Sequence, residues 1–332
     1  MSKLVVVIGA TGTQGGSVVD ALLADPSNYR VRGITRNPNS DNAKALAAKG
    51  AEIVTADLNN ESSLVAAFAG AHVIFAVTDF FEPAMKLGIE EGKKVEFAQA
   101  TNMINAAKQV PTLEQYIWST LPNANALSQG KYSVPFFDNK SAVDDYIRRE
   151  EPEFLEKTTF LYISFFSTNV FYPVFLPIHV KSAGKYIQTL PASPDTPISS
   201  LGNARHNVGV FVRGLIKNRP AGGSYVFGNV EDTTLQEYLA TWGKATGISA
   251  AEGSTEVVQI SLDKYKALWP GYGDLMGEMI AFWGDLRERS WETPLGTRAV
   301  KVQEFLGEED TKEVVGTFEA FAGAKEDFRN AL

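Results

Sequence analysis

Between an apolar run and a helical stretch lie seven residues, Gly9-Ala10-Thr11-Gly12-Thr13-Gln14-Gly15, whose composition and spacing let a backbone come close to a phosphate. Glycines remove the side chains that would hold a pyrophosphate away, and a following helix turns its unpaired amide N–H groups toward negative charge. The spacing is GxxGxxG rather than the commoner GxGxxG, so its weight comes from context: Leu4–Ile8 reads as a buried strand before it and Ser17–Leu23 as a helix after it. This arrangement predicts a dinucleotide site. About twenty residues beyond the third glycine, an acid at the end of the next strand would accept bonds from an NAD ribose. Here the sequence reads Thr35-Arg36-Asn37, with no carboxylate before Asp41. A guanidinium suits a 2′-phosphate through charge-assisted bonds and can stack on adenine, so the expected cofactor is NADP(H). Further on, Asp57 can accept a bond from the adenine amino group or cap the helix that begins near Glu61.

Reduction by such a cofactor needs a proton donor for the atom that gains charge. Lys140 is one candidate. Phe136, Lys140, Val143 and Ile147 share one helical stripe, so the ammonium projects from a mostly apolar face and needs a partner. A bound ribose or substrate could supply it; so could Asp144, four residues on. Ser119 ends a strand at the usual ligand edge and can bond a substrate oxygen or cap the departing chain. Tyr132, on the loop before the Lys140 helix, is a third donor. The run Phe160 to Phe166, with Phe171, Tyr172 and Phe175, is rich in rings. Part of it reads as strand core, and the part after Ser164 as the wall of an apolar substrate pocket together with Phe80 and Phe81.

The elements that must position these groups follow from periodicity. Short β-branched or aromatic runs at Leu4–Ile8, Val31–Thr35, Glu52–Thr55, Val73–Val77, Gln115–Ser119 and Thr159–Ser164 alternate with amphipathic stretches at 17–23, 42–49, 62–68, 95–108 and 138–149. Gly50 and Gly70 are placed as helix stops. Six strands and five crossovers predict an α/β fold of the Rossmann type, a doubly wound parallel sheet. After Ser164 the chain changes to loops, prolines and short elements, including strands at Gly184–Thr189 and Ser224–Gly228 and helices at Asn207–Lys217, Leu235–Thr246 and along the tail. The expected division is 1–165, binding the cofactor, and 166–332, a smaller α+β part for substrate or partner, sharing a cleft.

Composition narrows the function classes. Of 332 residues, 44% are hydrophobic and 21% charged, the balance of an ordinary soluble globular chain. The net charge of −8 and the scattered basic residues argue against direct nucleic-acid binding. Without cysteine there is no disulfide or thiolate chemistry, and His72, His179 and His206 have no ligand spacing, so no metal site is expected. The initial apolar run is too short for a signal-peptide core, and the most apolar stretch, 158–178, is broken by polar residues and prolines, so no membrane span is expected. These features point to the cytoplasm, with the nucleus open as a second compartment.

At Val5 to Gly16, Thr35-Arg36-Asn37-Pro38, Gly50-Ala51-Glu52 through Asp57, and Phe137-Asp138-Asn139-Lys140, the sequence resembles the NmrA-like family. This branch of the atypical short-chain dehydrogenases/reductases includes a fungal nitrogen-metabolite regulator, an animal NADPH-sensing protein and fungal oxidoreductases. The likeness is strong over residues 3–170 and diffuse afterwards. The resemblance implies a Rossmann domain with a smaller substrate domain, Gly9 to Gln14 on the pyrophosphate, Arg36 and Asn37 near the 2′-phosphate, and Asp57 and Leu58 at adenine. It also implies Thr78, Phe80 and Phe81, with Phe166 and Asn169, around the nicotinamide, and Lys140 at the ribose. Two positions depart from the pattern. The tyrosine of the superfamily's Tyr-x-x-x-Lys is Phe136, and a lysine that many relatives carry in the long helix is Thr101, which puts that cofactor contact in doubt. Two functions are therefore expected from the sequence. One is an NADP(H)-dependent oxidoreductase acting on an apolar carbonyl, imine or enone; the other is a non-catalytic NADP(H) sensor that signals to a regulatory protein partner.

Overall fold

The computed structural model describes residues 2–331. Six strands, β1 (Lys3–Val7), β2 (Tyr29–Thr35), β3 (Glu52–Thr55), β4 (Val73–Ala76), β5 (Gln115–Thr120) and β6 (Thr158–Ile163), build a parallel sheet in the order 3-2-1-4-5-6. Strand order reverses between β1 and β4, the point where open α/β sheets bind ligands. Helices α1 (Thr13–Leu23), α2 (Asp41–Ala48), α3 (Glu61–Phe68), α4 (Phe81–Leu87), α5 (Ile89–Lys108) and α6 (Pro135–Glu150) lie between these strands. Positive φ at Gly50 and Gly70, just past α2 and α3, ends both helices where the sequence places stops.

Period-two alternation in β1 decides which side chain meets which layer. Val5 and Val7 join one core with Val18, Leu22, Phe211 and Leu215, while Val6 and Ile8 join another with Ile74, Met103 and Trp118. α1 also packs against a helix of the second half, Ala204–Lys217, at backbone range: a Cβ at Gly209 would stand 2.1 Å from the Ser17 carbonyl oxygen. The Ser17 hydroxyl donates to His206 O at 2.8 Å and accepts from Gly209 N–H at 2.8 Å.

The expected division at residue 165 is not a clean one. Ser224–Gly228, read from sequence as a strand of the second part, pairs in parallel with β6, and Val300–Lys301 pairs beyond it, so the main sheet has eight strands. What leaves the main sheet are two three-stranded sheets: Phe165–Phe166 with Pro197–Gly202 and Glu231–Thr234, and Ile178–Val180 with Lys185–Leu190 and Thr255–Gln259. Helix Tyr272–Leu286 packs beside them. Among the described residues no helix is long and apolar enough to cross a membrane, and no group of three or more metal-ligating side chains is present.

Candidate functional site

A cleft of about 1140 Å³ runs along the C-terminal ends of the main strands, touching Ile8, Thr35, Ala56, Val77, Ser119 and Ile163. At its centre lies the glycine loop. Gly9 has φ +63°, and a Cβ on Gly15 would stand 2.3 Å from Gly9 O, so strand and helix can approach this closely only with glycine there. Gly12 caps α1 without a side-chain bond, which leaves the helix's first amides to a ligand. The loop thus fits a pyrophosphate. Ser119, buried at the end of β5, donates to Gln14 Oε1 at 2.8 Å and ties the loop to the strand; it does not cap the departing chain.

Toward β2 and β3 the cleft is polar. Arg36 lines it with a side chain 66% exposed, its guanidinium held by both oxygens of Glu82, 3.0 and 2.8 Å away, in the first turn of α4. Lys86 donates to Glu82 as well, at 2.9 Å. Bonds from Arg36 first and then from Lys86 lower the Glu82 carboxyl to about 2. Asn37 lies in the same wall, and its Oδ1 accepts from Asn39 N–H within the turn that leads to α2. Asp57 is exposed on the cleft and accepts two bonds from Asn59; the cap of α3 is Asn60, so the capping role considered for Asp57 is not its own. Leu58 lines the cleft beside it, its carbonyl accepting from Asn102. Thr101 turns its hydroxyl back on Phe97 O, and α5 meets the cleft through Val95 and Gln99 instead.

Past the loop the walls become aromatic. Lys140 lies on the cleft with 9% of its surface exposed, and its ammonium makes three bonds: to Thr78 O at 3.0 Å, Thr78 Oγ1 at 2.8 Å and Glu96 Oε1 at 2.9 Å. Glu96, fully buried on α5, also accepts from Thr78 Oγ1 and Asn139 Nδ2. The alternative ion pair with Asp144 is not formed. That carboxylate lies under β5 and accepts from Trp118 Nε1 at 2.9 Å and Thr120 Oγ1 at 2.7 Å, and burial without a cation pushes it up to about 8. Phe80 is buried and Phe81 half-buried. The Phe81 ring tilts onto Phe136 at 5.2 Å and stacks on Tyr272 at 6.2 Å. Phe166 and Asn169 line the same cleft.

Two expectations need correction here. Tyr132 does not line the cleft: its ring packs edge-on against Phe282, under the Lys131 ammonium, and takes no part in the site. In the ring-rich segment, Phe165, Phe166, Tyr172 and Phe175 face the cleft, but Phe171 stacks on Phe328 at 3.9 Å. Sequence reasoning also missed Glu82, Glu96 and the wall formed by Met276, Met279, Trp283 and Trp291. The helical spacing of Met276, Met279 and Trp283 was a usable signal for most of that wall; the two glutamates carry no local signal.

A parallel sheet of this order, with a glycine loop opening onto a helix N-terminus at its switch point, is the architecture of Rossmann-type nucleotide-binding proteins. Within that class the chain belongs to the NmrA-like family, which it matches over residues 1–311. It is similar to an NmrA-like family domain-containing oxidoreductase of Aspergillus versicolor, 34% identical over 144 residues. That match spans 43% of this chain and 39% of the relative's length. Among solved structures, NmrA, a negative transcriptional regulator in complex with NADP, has a TM-score of 0.74 at 21% identity, covering 100% of this chain and 98% of NmrA. NmrA has also been solved with NAD. Triphenylmethane reductase of Citrobacter, complexed with NADP(H), has a TM-score of 0.67 at 18% identity, covering 97% and 99%. These likenesses extend the shared fold over nearly the whole chain.

Proposed function

We propose that the protein is an NADP(H)-dependent oxidoreductase that reduces a neutral, apolar carbonyl, imine or enone. The observation that carries this reading is the continuity of one cleft from the glycine loop and Arg36 to an end walled by aromatic rings. Gly9 to Gly15 would hold the pyrophosphate, Arg36 and Asn37 the 2′-phosphate side, Asp57 and Leu58 the adenine. Thr78, Phe80, Phe81, Phe166 and Asn169 would border the nicotinamide. The bound cofactor supplies a hydride. The chain's own part is orientation and exclusion of water. Lys140 fixes the Thr78 backbone, Ser119 offers a hydroxyl to the substrate oxygen when it turns from Gln14, and the rings shield the reacting face.

Phe136 favours a second reading, a sensor that binds NADP(H) without turnover, because the superfamily's proton-donating position has no proton to give. The two separate on a single experiment: NADPH oxidation against a panel of apolar ketones, imines, enones and conjugated dyes, with cofactor titrations alongside. Lys140→Met/Glu96→Gln keeps both side-chain shapes and removes the cation together with its buried counter-charge, so no unpaired charge is left in the fold. For an enzyme it should lower turnover about tenfold or more while changing NADPH affinity by less than about threefold. A parent protein that binds NADPH but reduces no member of the panel overturns the enzymatic reading in favour of the sensor.

A further inference from the structure

We infer that Glu82 sets how strongly the cleft distinguishes a dinucleotide bearing a ribose 2′-phosphate from one without it, by competing with that phosphate for Arg36 and Lys86. The inference rests on the proposed cofactor reading and concerns the same site.

Glu82 presents two oxygens to two guanidinium nitrogens, at 3.0 Å from Nη1 and 2.8 Å from Nη2. This is the two-pronged geometry by which arginine also grips a phosphate, so carboxylate and phosphate would use the same donors. Lys86, one helical turn on, donates to the same carboxylate at 2.9 Å. Both cations able to reach an anion at this rim are thus occupied by one acid of the chain itself. Asp57 and Asp79 act on Arg36 from further off and add to the negative field. All three members of the cluster are solvent-accessible, Arg36 at 66%, Lys86 at 69% and Glu82 at 34% of the side chain, so the contact is weak enough to be displaced. A phosphate carrying more charge than a carboxylate can displace it, at a cost that a ligand lacking the phosphate never meets. Glu82 therefore acts as a built-in handicap on the phosphorylated cofactor and narrows a preference that Arg36 alone would make wide.

The test is calorimetric titration of NADPH and NADH into the parent, Glu82→Gln, and the pair Arg36→Met and Arg36→Met/Glu82→Gln, each checked for an unchanged melting temperature. Glu82→Gln keeps the size of the side chain and removes its charge. It should tighten NADPH about three- to tenfold and NADH by less than about twofold, with the gain shrinking at high salt. In the Arg36→Met background the gain should fall to that left by Lys86. Unchanged NADPH affinity in Glu82→Gln, or an equal gain for both cofactors, overturns the inference. A parent that binds NADPH no tighter than NADH refutes the cofactor preference instead; the NADPH-to-NADH ratio of Glu82→Gln then still decides whether Glu82 was masking it.

Discussion

Glutamates hold the basic side chains of the cleft in two places, and the two places differ in almost every respect but the pairing. Arg36–Glu82 lies on the rim in water; Lys140–Glu96 lies in the interior, with every ammonium proton and both carboxylate oxygens bonded. On the rim, an ion pair contributes about 0–1 kcal/mol, because solvent screens it and long side chains lose freedom in making it. In the interior, the desolvation of two charges is offset only while both are present, so removing one costs about 3–5 kcal/mol. The same two charges therefore form a replaceable contact in one place and a scaffold in the other. Recognition of a variable group belongs at the first, and fixing the Thr78 backbone belongs at the second.

This contrast is best broken at its strong end. Glu96→Gln preserves shape but leaves Lys140 buried without a counter-charge, and it should lower unfolding free energy by about 3–5 kcal/mol in urea titrations. Lys140→Met/Glu96→Gln should recover much of that loss. If Glu96→Gln melts with the parent, the interior pair is no scaffold. At the rim, Arg36→Glu should alter stability by less than about 1 kcal/mol but reverse cofactor preference, with a loss for NADPH of about 1.5–3 kcal/mol from the charge-assisted bonds. Equal affinities for NADPH and NADH in the parent would remove the basis for this prediction.

Asp144 sharpens the comparison, being a buried carboxylate on the same helix as Lys140 but without a cation. Its folded-state pKa, raised to about 8, lies above the unfolded value of 3.8, so the folded protein keeps a proton that the unfolded chain gives up. Its contribution is complete below about pH 4 and is lost as pH rises through about 8, by at most about 1.4 kcal/mol per pH unit. Asp144→Asn mimics the protonated acid and should match the parent below about pH 4, then melt higher than the parent by a margin that grows toward pH 8. Parallel melting curves for the two proteins across this range would show that Asp144 is ionised in the fold.

What could be read from the sequence follows from how local the cause is. The glycine loop was legible because close approach of strand and helix requires glycine at fixed offsets, and Arg36 because the end of the second strand has one place to go. Lys140 was legible as an anomaly, a cation on an apolar stripe, but its partner was not. Glu96 shares its helix with Glu90, Glu91, Lys93 and Lys94, and only packing against α6, some forty residues later, separates the buried acid from the four more solvent-accessible charges. Ser224–Gly228 was legible as a strand but not as a member of the main sheet, since pairing with β6 depends on residues far away in sequence. Tyr132 failed for a related reason: a loop's periodicity does not say where its side chains end up.

The full bonding of Lys140 and Glu96 has a consequence for what can enter the aromatic end. The two charges cancel, and the formal charge whose field reaches the ring at Tyr272 is the Asp79 carboxylate, which lines the cleft between Thr78 and Phe80. A ligand carrying a carboxylate would have to shed its hydration shell there with no free cation to receive it, the Lys140 ammonium being fully bonded. On the proposed reading this end therefore selects against anions before it selects by shape, and of two analogues with the same reducible group the esterified one should enter where the free acid stays in solvent.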